Sequence, residues 1–225
     1  MNMIVGLVGA LDRVRSGLGS QSEATLAADA RQILAENGAM MALQEGETAP
    51  DFDLPSTAGE IVRLSERLGD GPVVLTFYRG GWCAYCSGYL SALQAALPAF
   101  RAAGAQLIAV SPQTIEASIR TVDKIGIGFL VLSDHDNAVT RQFGLVFRLP
   151  EAFRRAYAAL DIDLPATNGS ASFELPVPAT FVIRSDRTIT YAAVDADYTR
   201  RPDPGSILSH LQAMAPASGK AIGHG

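Results

Sequence analysis

The chain is poor in cysteine, histidine and tryptophan: 225 residues hold two, three and one of them. Two cysteines are too few for the disulfide framework that small secreted domains rely on. The histidines, His135, His210 and His224, have no paired ligand spacing, and a zinc site would want two ligands beyond the cysteines. Basic residues are few as well. Eighteen Lys and Arg face twenty-three Asp and Glu, a net charge of −5, and no basic run offers a footprint for nucleic acid. Long apolar runs are missing too. The opening MNMIVGLVGALDRVRSGLG has nothing basic before Arg13, as a secretory signal requires, and Asp12 interrupts an apolar stretch too short to span a bilayer. The expectation is a cytoplasmic protein with no membrane contact.

What is present is an ordinary globular composition, 48% hydrophobic and 18% charged, in a length that fits one domain with an extension. Ile4, Leu7, Val8, Leu11 and Val14 fall on one helical face. A second helix is expected from Glu23 to Asn37, with Ser20 and Glu23 at capping-box spacing, a stripe of Leu26, Ala30, Ile33 and Leu34, and Gly38 as its terminator. Residues 1–44 therefore read as a helical extension, 45–215 as the domain and 216–225 as a flexible tail. The two apolar stripes are expected to join two copies as a homodimer or to pack back on the domain.

Within the domain, runs rich in branched residues alternate with helical patterns. PVVLTFY (72–78), AQLIAVS (105–111) and FLVLSD (129–134) read as buried strands. Helices are expected after the first, along Leu90, Leu93, Leu97 and Phe100 with a kink or break at Pro98, then at 113–125 and near 136–143. ATFVIRSDRTITYAAVD (179–195) reads as two strands joined at Ser185–Arg187, and 205–215 as a closing helix. This order predicts an α/β fold with a central mixed sheet, parallel with an antiparallel edge. DIDLPATNGSASFELPVP (161–178) reads as a long loop bordering a site.

Both cysteines lie in FYRGGWCAYCSGYL (77–90), two residues apart behind the sole tryptophan, between a buried strand and a helix. A helix amino terminus presents unpaired N–H groups and the positive end of its dipole, which favour a thiolate at Cys83. The thiolate is the nucleophile, and Cys86, one turn on, is placed to close a disulfide or capture a sulfenic acid. A structural disulfide over so small a loop would remove little chain entropy. Inert buried thiols are the remaining alternative. Arg79 either adds positive charge to Cys83 or is a solvated loop arginine, and Trp82 either shields the cysteines or packs ordinarily. Asp134, His135 and Asp136 cluster, but such residues before a helix are helix caps more often than ligands. Asp195, Asp197, Tyr198, Arg200 and Arg201 form a polar loop with three open readings: solvated, a staple for the last helix, or a partner surface.

WCAYC after VVLTFY resembles the Trp-Cys-x-x-Cys site of the thioredoxin superfamily, and VPATFVI (177–183) is similar to its segment before a strand, where a cis proline would match Pro178. The wider frame TAPDFDLPSTAGEIVRLSERLGDGPVVLTFYRGGWCAYC, with VSPQT, VLSDHDNAVTRQFG and VDADYTRRPDPGSIL, resembles the peroxiredoxin-like AhpC/TSA family over roughly residues 45–212. The resemblance implies a thioredoxin-like fold and a thiol-dependent peroxidase that reduces hydrogen peroxide or alkyl hydroperoxides. It also implies no bound cofactor, electrons from a thiol donor such as thioredoxin or glutathione, and supporting roles for Trp82, Tyr85, Pro178 and Thr180 around Cys83, Cys86 and Arg79. A general thiol-disulfide oxidoreductase and a non-catalytic redox sensor are the alternatives. The chain departs from the family's Pro-x-x-x-Thr-x-x-Cys: aligned on Cys86, Arg79 takes the proline position and Cys83 the threonine position. Pro178 takes the place of the later family arginine, so the usual peroxidatic pocket does not carry over. The thioredoxin register makes Cys83 the first nucleophile, exposed at the helix end, and the peroxiredoxin register makes it Cys86.

Overall fold

A computed structural model describes residues 41–214. The strand β1 (Asp53–Pro55) turns back on β2 (Ile61–Arg63), and a short helix α1 (Leu64–Arg67) leads toward β3 (Val73–Phe77). The long helix α2 (Ala84–Ala102) follows, then β4 (Gln106–Ser111), α3 (Ile115–Ile125), β5 (Leu130–Ser133) and α4 (Ala138–Gln142). The next segment holds β6 (Val146–Arg148), α5 (Glu151–Ala159), α6 (Leu164–Asn168) and β7 (Glu174–Pro176). The hairpin β8 (Ala179–Ile183) and β9 (Ile189–Val194) and the helix α7 (Pro204–Met214) complete the domain.

The main sheet has the order β5-β4-β3-β8-β9, with β3, β4 and β5 parallel and β8 and β9 antiparallel. It is the mixed α/β sheet expected from the strand order. Central β3 is buried on both faces, which is why its sequence reads as a continuous apolar run. Val73, Leu75 and Phe77 face one core, and Val74 faces the other, formed with Tyr89, Leu93, Leu97 and Phe100 of α2 and Ile207 and Leu211 of α7. On the first face Phe77, Phe143 and Phe181 stack at ring separations of 4.9–6.2 Å. Burying each ring contributes about 2–3 kcal/mol.

Local signals set the helix ends. Thr114 accepts the Ala117 N–H to cap α3, and Gly126, at φ 75°, closes it in the left-handed region. Asp203 accepts from the Ser206 N–H before Pro204 at the start of α7. Buried Asp134 accepts from the Val139 and Thr140 N–H groups and from the Thr140 hydroxyl, so it tethers α4. His135 and Asp136 pair at the surface beside it. That cluster is structural.

Three expectations need correction. Pro98 neither ends nor divides α2. It lies on the exposed side in the last turns, where water can take the carbonyl it leaves unpaired, while buried Leu97 and Phe100 hold the helix to the sheet. Residues 161–178 are not a structureless loop, because Asp163 caps α6 and β7 pairs with β6. Elements this short show no clear pattern of their own, whereas α5, absent from the expected helices, does carry one: Phe153 and Tyr157 stand four residues apart and pack against the core. The bond before Pro178 is trans, since there is no cis peptide bond among the described residues. Val177 already donates to Leu145 O at 2.7 Å, and a trans bond leads directly into extended β8, leaving the ordinary preference for trans unopposed. The helices expected before residue 41, their expected dimer contact, the expected tail 216–225 and His224 lie outside the described residues.

Candidate active site

The sheet register decides which segments meet. Phe77, the last residue of β3, is paired with Val110 of β4 and with Ala179, the first of β8, and Ala179 is paired with Val194, the last of β9. The carboxyl ends of β3, β4 and β9 and the start of β8 therefore share one edge. Ligand sites in open α/β sheets form at such an edge.

The loop after β3 carries Arg79, Gly80, Gly81, Trp82 and Cys83, and Cys83 is the N-cap residue of α2. Both glycines are required. Gly80 has φ 150°, and a Cβ there would overlap the Trp82 ring, while a Cβ on Gly81 would overlap Thr121. Gly81 N–H donates to Gln113 Oε1 at 2.8 Å, and its carbonyl accepts from the Ser87 hydroxyl at 2.9 Å. The loop is thus fixed to β4's end and to α2's first turn.

Both cysteines are free thiols and both are buried. Cys83 is 4% exposed and Cys86 0%. The expected exposure of Cys83 is therefore wrong: its sulfur lies at the helix end but under side chains from other segments. Arg79 is 5% exposed rather than solvated. Its Nη2 donates to Cys83 Sγ at 3.5 Å and its Nη1 to the Tyr157 hydroxyl of α5 at 3.0 Å. The guanidinium carbon sits 4.2 Å from the Tyr198 ring centre and 5.1 Å from that of Trp82. Trp82 also packs on Tyr157, and Tyr85 meets Tyr198 edge-on, so three segments roof the arginine with aromatic rings. Held this way, the charge is shielded from water and acts strongly on the nearby sulfur.

The two thiols are driven apart. The Cys83 thiol is held well below the ordinary range, first by the hydrogen bond donated from Cys86, then by the charge and hydrogen bond of Arg79 and the Cys86 N–H, which together outweigh burial. Burial, and then the proton shared toward Cys83 and the charge of its thiolate, push Cys86 well above that range. Arg201, from the loop after β9, opposes this with Nη2 at 3.3 Å from Cys86 Sγ.

The loop that carries Arg201 is ordered by its own acids. Asp195 accepts from the Asp197 N–H, Asp197 accepts from the Thr199 N–H and hydroxyl, and Arg200 Nε lies 3.5 Å from Asp197. It is not merely solvated: it lays Tyr198 over Arg79 and Arg201 against Cys86. Pro178, Tyr191, Val194, Arg200 and Arg201 line an open cleft of about 620 Å³ on that side. Thr180 lies in the sheet below α2. It is fully buried, hydrogen-bonded at 3.1 Å to both the Thr76 hydroxyl and the Tyr89 hydroxyl beneath α2. Tyr157, Gln113 and Thr121 carry no local signal that ties them to the site, and in the sequence Tyr198 and Arg201 are loop residues of open role. The RGG preceding Trp82 was the available signal for close packing around the cysteine loop.

Among the described residues no group of three or more His, Cys, Asp or Glu side chains is placed to hold a metal, and no helix is long and apolar enough to cross a membrane. A buried dithiol at the amino end of the helix that follows the central strand of a mixed sheet defines a redox protein of thioredoxin-like fold. The chain matches the AhpC/TSA family over residues 46–192 and belongs to it. It is 31% identical over 106 residues to Peroxiredoxin Bcp of Escherichia coli (strain K12), covering 47% of this chain and 67% of that one. It is 30% identical over 112 residues to chloroplastic Peroxiredoxin Q of Sedum lineare, covering 50% and 60%. The chain spans about two thirds of the length of the curated relatives it matches. The crystal structure of peroxidoxin BcpB from Mycobacterium tuberculosis has the same fold, with a TM-score of 0.63 at 23% identity over 77% of this chain and 99% of that one. A putative thiol:disulfide interchange protein DsbE from Chlorobium tepidum shares the fold at a TM-score of 0.54 and 21% identity, covering 76% and 98%.

Proposed function

We propose that the thiol-dependent peroxidase activity of this AhpC/TSA family enzyme runs through a Cys83–Cys86 dithiol/disulfide cycle. The observation that carries this reading is the pairing of a thiolate-favouring Cys83, under Arg79, with a protonated Cys86 in hydrogen-bond contact. The Cys83 thiolate attacks the terminal oxygen of the hydroperoxide and the O–O bond breaks. Cys83 becomes a sulfenic acid, and the alkoxide leaves with a proton as alcohol, or as water from hydrogen peroxide. Cys86 then attacks the Cys83 sulfur, forming the disulfide and releasing water. Two electrons and two protons from a dithiol donor, or from two thiols, restore the starting state. Arg79 holds the thiolate and receives the developing negative charge, taking the part that the missing family threonine and arginine would play.

No prosthetic group enters this cycle. The donor is a thiol of the thioredoxin or glutathione class, the compartment is the cytoplasm, and residues 1–40 join two copies as a homodimer. Deletion of residues 1–40 is expected to halve the mass measured by light scattering. The general thiol-disulfide oxidoreductase is the second reading, favoured by the Cys-x-x-Cys at the helix end with its acidic first thiol. Peroxide consumption and insulin-disulfide reduction, run in parallel with a thioredoxin system and with dithiothreitol, separate the two. Rapid peroxide loss with slow insulin reduction is the expected result, and the reverse pattern overturns the peroxidase reading.

A further inference from the structure

We propose that Arg201 is a catalytic residue of the disulfide-forming step, with its guanidinium stabilising the Cys86 thiolate once Cys83 has been oxidised. The inference rests on the dithiol cycle above and goes beyond it, because Arg201 occupies neither the cysteine motif nor the position of the family arginine, which Pro178 fills. Its placement is built. Nη1 donates to the carbonyls of Tyr198 at 2.6 Å and Arg200 at 2.5 Å, so one side of the guanidinium is tied to the loop backbone. The other side presents Nη2 to Cys86 Sγ, and the guanidinium carbon lies 5.9 Å from the Tyr89 ring centre. Asp195 and Asp197 engage the neighbouring Arg200.

The timing follows from the charges around Cys86. It is faced by Cys83 and Arg79 from its own loop and helix, by Tyr78 at the end of β3, by Tyr157 from α5 and by Arg201 from the loop after β9. In the reduced enzyme burial, then the hydrogen bond to Cys83 and repulsion by the charge of its thiolate, keep the proton on Cys86. Two cysteines a turn apart thus do not compete for the peroxide. Attack on the peroxide turns Cys83 into a neutral sulfenic acid and removes that repulsion. Arg201 is still in place, so the balance at Cys86 shifts toward the thiolate just when an attacking thiolate is needed. In the resolving step a Cys86–Cys83 S–S bond forms and the Cys83 S–OH bond breaks. The proton lost from Cys86 accompanies the departing hydroxide as water. In the reductive half the same contact stabilises Cys86 as the leaving thiolate when a donor thiolate attacks the Cys83 sulfur.

The test separates the two oxidative steps. Rapid mixing with hydrogen peroxide, followed by Trp82 fluorescence and by mass spectrometry of dimedone-quenched samples, measures sulfenic acid formation and disulfide formation in wild type, R201Q and R201K. In R201Q the disulfide step is expected to slow about tenfold at neutral pH, the effect of one unit in the Cys86 pKa, with sulfenic acid formation unchanged. R201K is expected to recover most of the lost rate. An unchanged disulfide step, or a loss confined to the first step, overturns the assignment. A second readout needs no peroxide. In a Cys83→Ser background, where the competing thiolate is absent, thiolate absorbance titrates Cys86, and adding R201Q is expected to raise its pKa by about one unit. An unmoved titration overturns the proposal, even if wild type fails to consume peroxide and the peroxidase reading falls on its own. R201M takes the place of R201Q should thermal melting show that R201Q does not fold.

Discussion

Cys83 and Cys86 are the same residue type, one helical turn apart and both out of water, yet their surroundings drive them in opposite directions. Cys83 lies at the helix amino end, with a buried arginine from its own loop and a thiol and an N–H donating to it. Cys86 lies inside the first turn, in an apolar group that both thiols share with Tyr78, Leu90, Ala109, Ile127 and Val131, and the guanidinium that touches it comes from a loop 115 residues further along the chain. Burial alone would raise both thiols. The difference comes from which hydrogen bonds and charges accompany the burial, and in the proposed cycle it would divide the work between an attacking sulfur and a waiting one.

The largest expected effect breaks that comparison outright. Cys83→Ser should abolish peroxide consumption, whereas Cys86→Ser should still form one sulfenic acid per chain, trapped by dimedone, without turning over. If Cys83→Ser forms the adduct at the wild-type rate and Cys86→Ser does not, the two roles are exchanged.

Arg79→Leu attacks the electrostatic half of the difference. A thiol whose pKa is lowered stays ionised as pH falls and loses nucleophilicity only when pH drops through the lowered value. Removing the guanidinium should move the acid limb of the alkylation and peroxide rates upward by about one to two units, a loss of about ten- to hundredfold at a pH below both limbs. An acid limb that does not move would show that the Cys86 hydrogen bond and the helix end suffice.

A smaller effect is expected from Tyr157→Phe, which leaves Arg79 Nη1 without its hydroxyl and costs about 1–3 kcal/mol of stability by urea unfolding. The acid limb should shift upward less than in Arg79→Leu, since the charge remains. Thr180→Val probes the sheet beneath the site rather than the sulfurs. It removes the hydroxyl shared by Thr76 and Tyr89 and should cost about 1 kcal/mol with the pH profile unchanged. A shifted profile would place Thr180 in the thiol chemistry after all.

The five strands of the main sheet, the order of its helices and the dithiol were legible because each is local. The branched run VVLTF, the stripe Leu90-Leu93-Leu97 and a Cys-x-x-Cys between them need no distant partner to be recognised. The short elements of 161–178 were not, since each carries few residues and takes its stability from the core it covers, while the Phe153–Tyr157 stripe of α5 was legible yet α5 is absent from the expected helices. Arg79 was visible as a candidate, but whether it was solvated or buried depended on Tyr157 and Tyr198, which no spacing connects to it.

The sequence by itself determined the chemistry available: two thiols on one helical turn, the arginine four residues ahead, and the glycines that let the loop close beneath Trp82. Only the tertiary structure decided how that chemistry is divided. The antiparallel insertion of β8 and β9 beside β3 returns the chain after Val194 to the cysteine edge and delivers Tyr198 to Arg79 and Arg201 to Cys86. Thiol acidity depends on charges and donors within a few ångströms, and the pairing of strands, more than a hundred residues apart in the chain, is what sets those distances.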